Sequence, residues 1–300
     1  MTRTDEEKAG RRRAPPSLLA QVPPRRSPVG YVVALGLGAA LGFRVAQAVP
    51  RGGAASASGS AADLLGAACE AGKAAACGDL GKLYALGVGV PRDLGRAADL
   101  FDKACSGGDT AGCASLGEAL DVGQGRARDA TRARTLLEQA CNGGVGDACA
   151  RLGDKSDKGL GVPKDEAKAV EYFRKGCEAE SAAACAGLAL ATYVGKGVPA
   201  NPVRAKVLFE KACNGGSAEG CYGYGRSLMG SRGGEQDAAR AAELVQKGCD
   251  MGSAQACRAM ALMLSDRGNQ KPDPDRAKAL FERACGLGDA TSCERLRGGG

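Results

Sequence analysis

Apolar residues in this chain fall three and four apart in short bursts, and from Ala61 onward the bursts return every 36 residues. One burst ends in a large pair: Leu100-Phe101, Leu136-Leu137, Tyr172-Phe173, Leu208-Phe209, Leu244-Val245 and Leu280-Phe281. Each pair stands three and four residues after an alanine, at Ala97, Ala133, Ala169, Ala205, Ala241 and Ala277. A small residue follows at Ala104, Ala140, Gly176, Ala212, Gly248 and Ala284. Such offsets share one face of an α-helix. They predict a helix, termed B, over 95–106 in the first full unit. A second burst, Leu80, Leu83 and Tyr84, predicts helix A over 77–86. Its first position returns as Leu116, Leu152, Leu188, Tyr224, Met260 and Leu296. No strand-like alternation interrupts the pattern, so an all-α chain is expected.

Proline and glycine mark the joints. Between A and B lie turn-rich stretches: GVGVPRD at 87–93, GLGVPKD at 159–165 and GKGVPAN at 195–201. Proline there ends one helix, and Asp93 or Asn201 can cap the next. Between B and the following A a glycine recurs at Gly72, Gly108, Gly144, Gly216, Gly252 and Gly288, with Glu180 the exception. Glycine terminates a helix because it adopts the left-handed conformation without a Cβ clash. The array starts with a half unit matching B at 61–71 and ends with a half unit matching A at 289–296. Six A–B pairs lie between. Units of this kind cannot bury their apolar faces alone; stacking on neighbours supplies the core. Residues 61–297 therefore read as one extended solenoid, with 298–300 as a tail.

Fourteen cysteines keep the same period. They form seven pairs: Cys69 and Cys77, Cys105 and Cys113, Cys141 and Cys149, Cys177 and Cys185, Cys213 and Cys221, Cys249 and Cys257, Cys285 and Cys293. On one continuous helix, residues eight apart would be separated by about 12 Å, whereas a disulfide needs Cα atoms within about 7 Å. A turn at the intervening glycine would bring the end of B beside the start of the next A. Three readings stand side by side: buried small apolar residues, metal ligands, or structural disulfides. The zinc reading lacks C-x-x-C spacing and any histidine. Alanine would serve a purely apolar role without the oxidation risk. The disulfide reading is preferred, and it places the chain in an oxidising compartment.

The N-terminus points the same way. Arg11, Arg12, Arg13, Arg25 and Arg26 lie in a basic tail, 1–28, ahead of an apolar run, 29–49. The run is expected to act either as a transmembrane signal anchor or as a signal peptide cleaved after Ala48, where Ala46-Gln47-Ala48 resembles a small-x-small site. In both cases the arginines stay cytoplasmic and the repeats are exported, anchored to the inner membrane facing the periplasm or released there. Residues 50–60, rich in Gly, Ala and Ser, read as a flexible linker. Residues 1–50 hold 8 Lys+Arg and 3 Asp+Glu; the remainder holds 41 − 8 = 33 and 34 − 3 = 31. The basic balance is thus largely a targeting feature. No nucleic-acid partner is expected, since interleaved aromatics are also missing.

The unit Leu80-Gly81-x-x-Tyr84-x-x-Gly87-x-Gly89-Val90-Pro91-x-Asp93, followed by Ala97-x-x-x-Phe101-x-Lys103-Ala104, resembles the Sel1-like repeat, a relative of the tetratricopeptide repeats. With a cysteine pair in every unit the chain is similar to the Helicobacter cysteine-rich proteins. The resemblance covers about 61–297. Two connections depart from it: Gly233-Gly234 and Lys271-Pro272-Asp273-Pro274 stand where Val-Pro is expected. The resemblance implies an α/α right-handed superhelical solenoid with one disulfide per repeat, acting as a scaffold or adaptor. It also carries an alternative, a β-lactam- or peptidoglycan-active enzyme, because some cysteine-rich members have been linked to such activity.

The residues give that alternative no support. Without histidine there is no Ser-His-Asp or Cys-His pair. No serine has a lysine three residues on, and neither S-D-N nor K-T-G occurs. No catalytic residue, metal site or cofactor is assigned. The expected function is to hold a protein or peptide partner on a concave face built from A helices. The candidates are polar and aromatic positions that vary between units: Lys82, Tyr84, Glu118, Lys155, Tyr193, Tyr222 and Arg226. For each tyrosine the competing reading is core packing.

Overall fold

The computed structural model describes residues 60–230, 237–265 and 272–298. The expected basic tail, membrane or signal segment and linker at 1–59 lie outside the described residues, as do the connections at 231–236 and 266–271. Among the described residues no helix is long and apolar enough to cross a membrane.

The described residues form fourteen α-helices. The half unit α1 (Ala61–Glu70) comes first. Next come α2 (Ala74–Leu86) with α3 (Leu94–Ser106), α4 (Thr110–Val122) with α5 (Ala130–Asn142), and α6 (Gly146–Lys158) with α7 (Glu166–Glu178). Then follow α8 (Ala182–Val194) with α9 (Pro202–Asn214), α10 (Ala218–Met229) with α11 (Ala238–Asp250), and α12 (Ala254–Ser265) with α13 (Pro274–Gly286). The half unit α14 (Ala290–Gly298) closes the series. Even-numbered helices are the A helices, and odd-numbered ones are B.

Local chemistry sets the helix ends. Every full-unit B helix has a side-chain N-cap: Asp93, Asp129, Asp165, Asn201, Asp237 and Asp273 each accept from a backbone N–H three residues on. Such a cap is worth about 1 kcal/mol. Helices α2, α4, α6 and α8 stop at Gly87, Gly123, Gly159 and Gly195, all left-handed. The A helices begin about three residues before the apolar pattern does. In α2 the extra residues are Ala74, Ala75 and Ala76, strong helix formers that carry no periodic signal.

All seven cysteine pairs are closed as disulfides, with Cα atoms 4.3–4.8 Å apart. Each ties the end of one B helix to the start of the next A helix. A bridge over so short a loop contributes about 2–3 kcal/mol in the chain-entropy account. The turn between the cysteines puts Gly72, Gly108, Gly144, Gly216, Gly252 and Gly288 at positive φ. Glu180 holds the same position at φ 62°, the one non-glycine residue at positive φ among those described.

The core forms where B side chains enter gaps in the A helices. A Cβ on Gly81 would stand 2.6 Å from the Phe101 ring, and one on Gly187 2.6 Å from Phe173. Glycine is therefore needed at both for close helix approach. Successive A helices also touch: α2 with α4, α6 with α8, α8 with α10, and α10 with α12. No two B helices pack to that extent. The array consequently bends with the A helices on its inner side.

Ion pairs supplement the stacking. Arg126, in the connection before α5, reaches Asp99 at 2.7 Å and Asp102 at 2.8 Å on α3, and Arg132 reaches Asp102 at 2.9 Å. Burial would raise the Asp102 carboxyl, but the hydrogen bonds and charges of the two arginines outweigh it and hold the group below its ordinary value.

Candidate partner-binding site

One register of the A helices is exposed at Lys82, Asp154, Leu190, Arg226 and Leu262 and half-buried at Glu118. The register three residues earlier carries Asp79, Ser115 and Arg151, then Gly187 and Gly223. Those two glycines open a trough across α8 and α10. Phe173 and Phe209 occupy the space that a Cβ on either would require, so their rings form its floor. The result is a groove of about 460 Å³ spanning α6, α8 and α10. Asp154 and Asp157 stand on one wall and Tyr222 and Arg226 on the other, with Leu190 between them. Leu190 is 52% exposed.

Arg226 lies over two rings. Its guanidinium carbon is 5.9 Å from the Tyr193 centroid and 5.6 Å from that of Tyr222. Tyr193 in turn meets Phe209, with centroids 6.4 Å apart and a tilt of 59°. Each cation–π contact at a partly exposed site is worth about 0.5–1 kcal/mol. The rings thus position the guanidinium while leaving its N–H groups unused; among the described residues no ion pair engages it. On the facing wall Asp157 is paired with Lys196 at 2.8 Å, and Lys158 stands 3.9 Å from Asp154.

Three of the seven sequence candidates, Tyr193, Tyr222 and Arg226, form this one cluster. The other four are engaged elsewhere. Lys82 is on α2, away from the groove, paired with Asp79 at 2.9 Å. Tyr84 occupies the register of Leu120, Thr192 and Leu228, all buried. Its ring is half-buried against the core that contains Phe101 and Leu116, with Arg96 4.3 Å above it. Glu118 pairs with Arg151 and Lys155 with Asp121, each at 2.6 Å, so both serve to fasten α6 to α4. Burial pushes the Glu118 carboxyl above its ordinary value, and the Arg151 charge and hydrogen bond offset part of that.

Sequence reasoning missed Asp154, Asp157 and Leu190. Asp154 and Leu190 share the 36-residue register of Lys82, Glu118 and Arg226. Following that register through every unit would have found them. No cluster of metal-ligating side chains occurs among the described residues.

Antiparallel helix pairs of fixed length, stacked in one direction and bridged by a cystine at every step, define a tetratricopeptide-like α-solenoid. The Sel1 repeat family model matches residues 74–109, 110–145, 146–181, 182–217, 218–253 and 254–289, and the chain belongs to that family. Sel1 repeat proteins generally mediate protein–protein interactions. Among solved structures the chain is similar to a Sel1 repeat protein from Oxalobacter formigenes, with TM-score 0.65 and 22% identity, covering 75% of this chain and 99% of that one. It is also similar to a protective antigen of uropathogenic Escherichia coli strains that displays an SLR fold, with TM-score 0.61 and 25% identity, covering 79% of this chain. The chain spans 52% of that antigen's length. Helicobacter pylori cysteine rich protein B is 35% identical, over 43% of this chain and 93% of its own, with TM-score 0.36. No curated protein sequence matches the chain.

Proposed function

We propose that this protein is an exported scaffold whose inner A-helix face holds a segment of a partner protein across α6, α8 and α10. One observation carries the reading: Arg226, set between Tyr193 and Tyr222, has no ion-pair partner among the described residues and stands at the edge of a trough that also exposes Leu190. A pre-positioned guanidinium beside exposed aliphatic surface suits a segment with a carboxylate and a neighbouring apolar side chain. The seven disulfides support export, because such bonds persist outside the reducing cytosol. The apolar run at 29–49 supplies the means, as anchor or as cleaved signal. No observation favours the enzyme alternative.

The test is affinity capture of the full-length protein from detergent-solubilised membranes of its host, disulfides intact, with partners identified by mass spectrometry. One stoichiometric protein is expected, lost with Arg226→Ala or Leu190→Ser and retained with Lys82→Ala. Retention of the same protein by the Arg226→Ala, Leu190→Ser double variant would rule out the groove. Acid quenching and alkylation in intact cells tests export separately: the cysteines should be blocked to alkylation, and free thiols in the mature protein would sink that part of the reading.

A further inference from the structure

The two edges of the solenoid differ in chemistry. All A helices run the same way, so the A-to-B connections gather on one edge and the B-to-A loops on the other. Counted from the last helical residue to the next N-cap, the first four connections are 86–93, 122–129, 158–165 and 194–201. They hold six cations against Asp93, Asp129 and Asp165. The matching loops on the other edge, 70–73, 106–109, 142–145 and 178–181, hold Lys73 against Glu70, Asp109, Glu178 and Glu180. The three aspartates of the first edge cap B helices, where the backbone N–H groups and the helix dipole offset part of their charge.

Exposed aliphatic side chains accompany those cations. Leu86 is 72% exposed, Val88 55%, Val122 62%, Leu160 53% and Val194 53%. Leu86, Val122 and Val194 occupy one register at the last turn of successive A helices. Two of the connections abut the B helix of the unit before: a Cβ on Gly125 would run into the Leu94 carbonyl and one on Gly197 into that of Glu166. Two arginines are fixed along it. Arg92 donates Nε to the Ala85 carbonyl at 3.1 Å, and Arg128 donates Nε to that of Asp121 at 2.9 Å. Neither faces a carboxylate among the described ion pairs. Lys158, Lys164 and Lys196 each have one carboxylate nearby, and Arg126 is neutralised by two.

We infer that this edge docks on an anionic phospholipid surface. Cations alone would suit any polyanion. Aliphatic side chains interleaved with them over four units suit an interface where apolar groups enter the acyl boundary while the cations meet phosphates. The aliphatic side chains of the edge, Leu86, Val122 and Val194, do not line the partner groove, whereas Lys158 and Lys196 border both surfaces.

The full-length protein is mixed with vesicles of phosphatidylglycerol or of phosphatidylcholine, and lysines are footprinted with an amine-reactive label read by mass spectrometry. Phosphatidylcholine controls for insertion of the apolar run at 29–49, and the serine variant described below, which keeps the basic tail, controls for the attraction of that tail to anionic lipid. Reactivity should fall at Lys158, Lys164 and Lys196 with the anionic vesicles only, while Lys73 and Lys247 stay unchanged. Replacing Arg92→Gln and Arg128→Gln should weaken vesicle binding about fivefold per cation. Leu86→Ser with Val122→Ser, at exposed positions where folding can be verified by circular dichroism, should abolish the protection. Absence of protection with phosphatidylglycerol, or equal protection with phosphatidylcholine, overturns the inference. So does protection that survives the serine changes and is reproduced by heparin, which would make the edge a site for a soluble polyanion.

Discussion

Glu180 carries a strain that its six glycine counterparts avoid. At φ 62° an L-residue brings its Cβ against its own backbone, at a cost of about 1–2 kcal/mol. Glu180→Gly should therefore stabilise the array by about 1 kcal/mol after the extra unfolded-state freedom of glycine is subtracted. A rise in denaturant midpoint at unchanged slope is the expected result, and a fall would show that the Glu180 side chain makes a stabilising contact. Asp102 acts through charge instead. Arg126 and Arg132 lower its folded pKa, so its contribution is present above the ordinary aspartate value and is lost as pH falls through the folded value. Asp102→Asn should be less stable than the parent at pH 7, and the gap should close below about pH 4. A gap that stays constant through that range would mean that the hydrogen bonds, rather than the charge, carry the contact.

At the scale of the helix and its staple, the seven disulfides are not equivalent. Cys285 and Cys293 are half-buried and join the last two described helices, whereas Cys213, Cys221, Cys249 and Cys257 are at most 1% exposed. Thiol–disulfide exchange requires access to sulfur, so the more exposed bridge is the first to react. Under limiting dithiothreitol, alkylation should appear first at Cys285 and Cys293 and last at the two inner pairs, as read by peptide mass spectrometry. Simultaneous labelling would mean that reduction follows global unfolding. These staples, the B-helix caps and the two helix faces were legible in the sequence because each recurs in every full unit, so the chain makes the same statement repeatedly. The groove was not, because it arises where units differ: Gly187 and Gly223 replace Asp79, Ser115 and Arg151, and Tyr222 stands where Ala114, Ala150 and Ala186 are small. Pairings such as Arg151–Glu118 and Lys155–Asp121 were hidden for a related reason. They cross between units, and a pattern read along one helix does not show which long side chain meets which.

For the whole molecule, a fixed period implies that units can be removed in phase. Each unit contacts mainly its neighbours, so stability is close to a sum of unit and interface terms. Deleting 110–145 joins Asp109 to Gly146 and places Cys105 eight residues before Cys149, the native spacing. The shortened chain should fold with six disulfides, one of them the hybrid Cys105–Cys149, and should still capture the partner, because the groove over α6, α8 and α10 is untouched. Deleting 182–217 keeps the period equally well and gives a hybrid Cys177–Cys221, but it removes α8 and with it Leu190, Tyr193 and the Gly187 trough. That chain should fold and fail to bind. Disulfide mapping and thermal melting report folding, and capture reports binding. If the first deletion abolished capture while remaining folded, the partner would have to span more of the inner face than this groove. If the second retained capture, the binding surface would lie outside α8, and the Arg226 cluster would be a structural contact alone.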